Sequence, residues 1–114
     1  MLMAPLTAIL EPAGIGKIDL VWTGGDAVSK LHARNYALVI CERHLYPISG
    51  IDLKILMNAR RDWARVPFIC ILSEDREGDA AKREKAGIKH CISPPFSVQN
   101  LRQAVDSARQ ARAA

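Results

Sequence analysis

Short apolar segments recur along the chain, and most of them are separated by enough residues for one helix. The segments 37–41 (ALVIC) and 68–72 (FICIL) contain no charged residue. Runs of this length are too short for a helix and are typical of strands buried on both faces of a sheet. Short, largely apolar segments at residues 6–10, 18–22 and 88–93 predict three further strands.

Amphipathic stretches in the first half of the chain predict two helices. Asp26 follows a Gly-Gly pair and is expected to cap a helix that runs to about Asn35. Ser49 opens a longer second helix. The apolar positions of this second helix are expected to form one stripe facing the core, made of Ile51, Ile55, Leu56 and Ala59.

Two more helices are predicted in the second half. Gly87 is well suited to end a helix after Ala86, and Ser97 caps a final helix that frays after residue 110, leaving 111–114 as a tail. Strands alternating with helices of this size predict βαβ units and a parallel sheet, whose functional residues lie at the carboxyl ends of the strands. The inward positions of the final helix are expected to be Val98, Leu101, Val105 and Ala108.

The length of 114 residues predicts a single domain, 1–114, large enough to bury one core. Apolar residues make up 49% of the chain and charged residues 25%, which excludes a mostly disordered protein. No apolar run approaches the roughly 20 residues of a membrane helix, and no signal-peptide pattern is present. Three cysteines, an odd number without a close pair, argue for a reducing compartment, so we expect a cytoplasmic protein.

The charge and the cysteines add little chemistry. The formal net charge is +4, and the basic residues are spread over several segments with few aromatic residues among them, which does not favour nucleic-acid binding. Cys41, Cys70 and Cys91 lack metal-ligand spacing and are expected to be small buried hydrophobic residues, with a thiol-based sensor as the alternative. No pattern predicts a metal, a cofactor or a catalytic triad.

Three segments resemble one known family. AGIKHCISPPF at residues 86–96 is similar to the end of a bacterial response-regulator receiver domain. ALVICERHLYPISGIDL at residues 37–53 resembles the third strand, phospho-acceptor loop and third helix of that family, and residues 67–73 are similar to its fourth strand. The resemblance covers residues 18–110 and implies an α/β, flavodoxin-like receiver fold with a mainly parallel five-stranded sheet.

The positions that carry the family's chemistry differ in this chain. By the resemblance, the phospho-acceptor aspartate falls on Glu42 and the active-site lysine on Pro94. The acidic pair that ends the first strand falls on Glu11 and Pro12. Phosphoryl transfer to a carboxylate needs Mg²⁺ held by oxygen ligands, and Pro12 offers none. Because the longer Glu42 side chain also misplaces the acceptor oxygen and Pro94 carries no cation, we expect a domain that cannot accept phosphate in the usual way.

The remaining positions concern the family's switch. The hydroxyl position is kept as Ser73, whereas the switch aromatic falls on Cys91. Pro95 follows another proline, and the resemblance implies a cis peptide bond before it, with an all-trans turn as the alternative. Glu42 has two interpretations: a permanent mimic of the phosphorylated state, or a solvated loop carboxylate left after the chemistry was lost.

The amino-terminal end departs furthest from the family. Only residues 11–17 separate the first two predicted strands, whereas parallel neighbours need a crossover of about a dozen residues or more. The first helix of the family is therefore expected to be absent, and residues 1–17 are expected to form an atypical strand and turn. That strand either pairs antiparallel with its neighbour or crosses to a second subunit. Because the missing helix would leave an apolar face bare, we expect a homodimer or a complex with another protein rather than a free monomer, and of these we favour the homodimer.

These expectations favour a stand-alone, degenerate receiver domain that acts in two-component-type signalling by protein–protein interaction, without phosphorylation. Its partner would be a protein of the signalling pathway, such as a histidine kinase or a regulator, and the domain would be neither an enzyme nor a membrane protein. The alternative is a basic, nucleic-acid-associated transcriptional regulator that uses its last helix, with Arg102, Arg109 and Arg112.

Overall fold

A parallel β-sheet with helices packed on both faces forms the described part of the chain. The computed structural model describes residues 21, 23–42, 48–72, 77–93 and 95–113. The predicted strands at 37–41, 68–72 and 88–93 are confirmed, whereas the segment 6–10 and nearly all of 18–22 lie outside the described residues. The elements follow in the order α1 (Gly24–Ala33), β1 (Val39–Glu42), α2 (Gly50–Asn58), α3 (Arg61–Ala64), β2 (Phe68–Ile71), α4 (Asp79–Ala86), β3 (His90–Ile92) and α5 (Val98–Ala113).

The three described strands are parallel, as the alternation of strands and helices predicts. β1 pairs with β2 and β2 pairs with β3, so the order in the sheet is β1-β2-β3. Two of the predicted strands, the absence of a first helix, and the antiparallel or swapped pairing of residues 1–17 all concern the part of the chain outside the described residues. The parallel α/β architecture itself is confirmed.

β2 sends its side chains alternately into two cores. Phe68 and Cys70 belong to a buried cluster with residues of α1, α2, α3 and α4 on one face of the sheet. Ile69 and Ile71 point to the other face, because neighbouring residues of a strand point to opposite sides, and there they pack against α5. All four positions of β2 are buried, which is why this segment of the sequence carries no polar residue.

Side-chain caps begin three of the helices. Ser49 and Ser97 cap α2 and α5 as predicted, their Oγ atoms accepting backbone N–H bonds at 3.1 and 3.0 Å. The prediction of Asp26 as the cap of α1 is wrong. Thr23 Oγ1 accepts a hydrogen bond from the Asp26 backbone N–H at 3.0 Å, so Asp26 lies in the first turn, where its charge favours the helix dipole. α1 ends at Ala33, slightly before the predicted limit.

The stripe predicted for the core-facing side of α2 is wrong in part. Ile51 is buried as expected, but Ile55, Leu56 and Ala59 are exposed. The face that packs on the sheet contains Ile51, Lys54 and Met57, which are spaced three residues apart. The predicted stripe omits Lys54 and Met57. The buried side chains of the helix are those of Ile51, Leu53, Lys54 and Met57.

The two last helices end and pack much as predicted. Gly87 follows α4 with a φ of 77°, a left-handed conformation that glycine adopts without strain. On α5, Leu101, Val105 and Ala108 are buried as predicted, but Val98 is 38% exposed. Val98 is the first residue of the helix, and Leu101, one turn later, is the first to reach the buried cluster. α5 is continuous through Ala113, beyond residue 110. No helix in the described ranges is long and apolar enough to cross a membrane.

Candidate functional site

The carboxyl ends of the three described strands lie level with one another. Glu42 is the Cα partner of Ile71, and Ile71 is the Cα partner of Ile92. The Leu72 backbone N–H donates to the Ile92 carbonyl oxygen at 2.8 Å, which continues the alignment past the end of β2. In open parallel sheets functional sites lie at the carboxyl ends of the strands, so this edge is the candidate functional site.

The predicted phospho-acceptor position is described at this edge. Glu42 is the last residue of β1. Ser73 and Pro94 follow the ends of β2 and β3 closely, and both lie outside the described residues. Glu11 and Pro12 are outside the described residues as well. The backbone of Glu42 is therefore the part of the predicted phospho-acceptor site that the structure places.

The switch position Cys91 lies in the middle of β3, opposite Cys70 of β2. Cys41 and Cys70 are buried as predicted, but the burial predicted for Cys91 is wrong, since its side chain is exposed. Among the described strands β3 stands at an edge, with a neighbour on one side, so its residues are less covered than those of β2. Pro95 is exposed, and the predicted cis bond before it involves Pro94, outside the described residues.

An open groove of about 390 Å³ lies between β3 and α5, beside the switch position. Cys91 lines it together with Lys89 and His90 of the same chain segment and with Asn100 and Gln103 of α5. None of the described lining residues is acidic. The groove was not predicted from the sequence. The signal for it was the three-residue spacing of Asn100 and Gln103, which places two amide side chains on the same face of α5.

A buried lysine lies at the opposite edge of the sheet. The Lys54 Nζ atom donates to the Ala64 carbonyl oxygen at 3.4 Å and lies 5.9 Å from the centroid of the Phe68 ring. Burial lowers the pKa of Lys54, because the charged amine loses its hydration. Phe68 begins β2, so Lys54 lies at the amino ends of the strands, away from the candidate site.

An edge-to-face contact between two aromatic rings joins α1 to α3 at the same end of the molecule. The Trp63 ring is contacted edge-on by His32, with 4.7 Å between the ring centroids, and the Arg60 guanidinium lies 4.2 Å from the Trp63 centroid. Arg60 Nε also donates to Asp62 Oδ1 at 3.4 Å, and this hydrogen bond lowers the pKa of Asp62. These contacts hold the α3 corner and take no part in the candidate site.

Two buried charged residues were missed by the sequence analysis. Lys54 shares the three-residue spacing of Ile51 and Met57, and this spacing was the signal for its burial. Asp79, in the first turn of α4, is also buried. Within the described ranges, no group of three or more His, Cys, Asp or Glu side chains is arranged to hold a metal ion.

The parallel sheet, its level carboxyl edge and the helices on both faces define an α/β domain of the flavodoxin-like class. Within that class, the chain belongs to the response regulator receiver domain family, whose model matches residues 1–106. Receiver domains work in two-component signalling together with kinases and regulators. The predicted receiver family and the flavodoxin-like α/β fold are therefore confirmed, with three of the five predicted strands described.

Several known proteins are similar to this chain. Chemotaxis protein CheY of Pseudomonas aeruginosa is 22% identical over 83 residues, which are 73% of this chain and 67% of that protein. The receiver domain of a sensor histidine kinase from Pseudomonas aeruginosa PAO1, with a magnesium ion coordinated in its active-site cleft, matches with a TM-score of 0.84 at 21% identity, over 96% of this chain and 88% of that one. The signal receiver domain of an HD domain-containing protein from Pseudomonas fluorescens Pf-5 matches with a TM-score of 0.86 at 20% identity, over 98% and 88% of the two chains.

Proposed function

We propose that this receiver domain is degenerate, accepts no phosphate and acts through protein–protein contacts. The observation that carries the proposal is Glu42 as the last residue of β1, the position at which the resemblance places the family's phospho-acceptor aspartate. Glutamate is one methylene longer than aspartate, so its carboxylate oxygen is displaced by about 1 Å or more. A displacement of that size is enough to lower a reaction rate by about 10²-fold.

Two further positions, both occupied by proline, support the same conclusion. Pro94 stands where the family has a lysine, so the cation that would pair with the phosphoryl oxygens is missing. Pro12 stands where the family has the second residue of an acidic pair, and proline offers no side-chain oxygen to a metal. Of the three positions at which the resemblance places the family's acidic residues, two carry glutamate and one carries proline, so this chain offers a magnesium ion fewer oxygen ligands there than the family pattern does.

A receiver domain without phosphorylation chemistry is a non-catalytic member of a signalling pathway, in contact with a kinase or a regulator.

Glu42 has two proposed roles, which differ in the residues that its replacement would affect. As a mimic of the phosphorylated state, its charge would hold β3 in one arrangement, and Glu42→Gln would shift the amide NMR signals of Cys91 and its neighbours. As a relic of lost chemistry, its replacement would shift only the signals of residues next to it in β1.

The proposal is tested by incubating the full chain with acetyl phosphate and Mg²⁺ and measuring its intact mass. An active receiver domain in the same tube is the positive control. We expect the control to gain the mass of one phosphate and this chain to keep its original mass. A stable adduct of one phosphate on this chain would overturn the proposal.

Nucleic-acid binding through the last helix has less support. Arg102 and Arg109 are exposed on α5, but Asp106 is exposed between them, four residues after the first and three before the second. Residues at these spacings share one helix face, so the described face is not uniformly basic. Binding to duplex DNA that weakens steeply as salt rises would favour this alternative, and we expect no such binding.

A further inference from the structure

α2 turns an apolar stripe to solvent while it buries a lysine. Ile55 is 52% exposed and Leu56 is 37% exposed, whereas the adjacent Lys54 is 7% exposed. Ala59 is exposed as well, and it lies one turn after both large side chains, so the three apolar residues share one face of the helix. A contiguous apolar face of this kind is typical of an interaction surface rather than of an isolated exposed residue.

The core fixes this orientation of α2. Leu53 and Met57 are fully buried on the opposite side of the helix, at 1% and 0% exposure. Rotating the helix to hide Ile55 and Leu56 would bring Leu53 and Met57 out of the core. Asn58 also ties the helix to α4, through a 2.7 Å hydrogen bond from its side-chain amide to the Ala86 carbonyl oxygen. The exposed stripe is therefore a stable feature of the folded chain.

Charges of opposite sign stand at the two ends of the stripe. Asp52 is exposed one turn before Ile55, at the amino end of α2. Arg61 is exposed just beyond the carboxyl end of the helix. Among the described residues neither side chain has an ion-pair partner, and the ion pair near Arg61 joins Arg60 to Asp62. Along the chain the order is acidic, apolar, basic, with Asp52 on α2 and Arg61 at the start of α3.

We propose that this face docks against the same face of a second copy of the chain, with the two α2 helices antiparallel about a twofold axis. In that arrangement the Ile55 and Leu56 side chains of the two copies pack together, and Asp52 of each copy meets Arg61 of the other. A parallel arrangement would instead bring Asp52 against Asp52. The small Ala59 side chain lets the two helices approach closely.

The size of the face sets the strength of the contact. Each copy contributes two large apolar side chains to the contact. A stable complex typically uses about 20–30 residues from each partner. The contact is therefore a reversible one that forms as the protein concentration rises. It uses residues 52–61, and so it is separate from any exchange of residues 1–17.

Sedimentation equilibrium of the full chain, from micromolar to near-millimolar concentration, tests this contact. We expect the average mass to rise towards twice the chain mass, and Ile55→Glu to remain at the chain mass over the same range. Val98→Glu is the matched control, because Val98 is exposed to the same degree as Leu56 but lies on α5. A wild-type chain that stays monomeric throughout, or Ile55→Glu self-associating as the wild type does, would overturn the proposal.

The antiparallel geometry has its own test in charge reversal. Asp52→Arg and Arg61→Asp should each weaken self-association about tenfold or more, and the double variant should recover it to within about threefold of wild type. A double variant no better than either single variant would exclude the proposed pairing.

Discussion

A β-carbon on Gly24 would lie 2.7 Å from the Cβ atom of Ile48 and 2.9 Å from the Ile48 carbonyl oxygen. Gly24 is the first residue of α1, and Ile48 directly precedes the Ser49 cap of α2. The starts of the two helices therefore touch at a position where only hydrogen fits. This contact sets α1 and α2 side by side near the carboxyl edge of the sheet.

Gly24→Ala is expected to lower the free energy of unfolding by about 1–3 kcal/mol, because the added methyl group overpacks the contact with Ile48. Gly25→Ala is the matched control, since a β-carbon there meets only the Thr23 hydroxyl at 3.9 Å. Alanine is favoured over glycine in a helix, so the control should be neutral or more stable by up to about 1 kcal/mol. Urea unfolding followed by circular dichroism measures both, and equal effects would contradict the close approach.

The orientation of α2 predicts a large difference between two positions two residues apart. Met57→Ala should cost about 2–5 kcal/mol, because it empties a fully buried site. Ile55→Ala should change the free energy of unfolding by no more than about 0.5 kcal/mol, since Ile55 is half exposed. Urea unfolding of both variants in dilute solution gives the comparison. A greater loss at Ile55 would mean that the stripe predicted from the sequence, and not the observed one, faces the core.

The strands could be predicted from the sequence because their signal is local. An uncharged run such as 68–72 is stable only between two covered faces, and β2 lies there with both cores against it. The face of α2 could not be predicted in the same way. The large apolar residues of α2, at positions 51, 53, 55, 56 and 57, lie around most of the helix, so the sheet and not the local pattern decides which of them are buried.

The location of the candidate site was predicted from the sequence, but the exposure of Cys91 was not. Alternating strands and helices require that parallel strands end at one edge, and Glu42 does lie level with Ile71 there. The exposure of Cys91 depends on the order in which strands pair, which the sequence of β3 alone does not contain. Thr23 and Asp26 are both residue types that cap helices, and the sequence alone did not show that Thr23 takes this position.

The contact between Arg60 and Trp63 predicts a difference between charged and uncharged replacements. Arg60→Ala should lower the free energy of unfolding by about 0.5–1 kcal/mol, because it removes a cation from the face of the indole ring. Arg60→Lys keeps a cation and should retain most of that stability. Urea unfolding at neutral pH ranks the two variants, and equal losses would show that the charge over the ring contributes nothing.

Acid should weaken the stability that Arg60 contributes through its pairing with Asp62. Arg60 lowers the pKa of Asp62 in the folded chain, so their pairing stabilises the fold above the ordinary aspartate pKa and is lost as the pH falls through the lowered value. The difference between wild type and Arg60→Ala should therefore shrink in acid without vanishing, because the contact with Trp63 does not depend on Asp62. Its complete disappearance in acid would assign the whole effect to the ion pair.

Lys54→Met is expected to raise the free energy of unfolding at neutral pH, by up to about 1.5 kcal/mol. Methionine fills nearly the same space without a buried charge, and the contacts it would remove are weak, a 3.4 Å hydrogen bond to Ala64 and a ring at 5.9 Å. Lys85→Met is the control, because Lys85 is exposed and its replacement should change little. Urea unfolding at pH 7 compares the two, and a clear loss of stability in Lys54→Met would show that the amine stabilises the fold.

The pH dependence of the free energy of unfolding distinguishes the effect of the Lys54 charge from the effect of its packing. Burial lowers the pKa of Lys54 in the folded chain below its ordinary value of 10.5, so the unfolded chain holds this proton more tightly. The wild-type chain should therefore gain stability as the pH rises from the lowered folded value towards 10.5, since unfolding takes up a proton over that interval. Lys54→Met lacks this proton, and its advantage over wild type should shrink as the pH rises. A constant difference between the two chains from neutral to alkaline pH would show that the amine is fully hydrated in the folded protein.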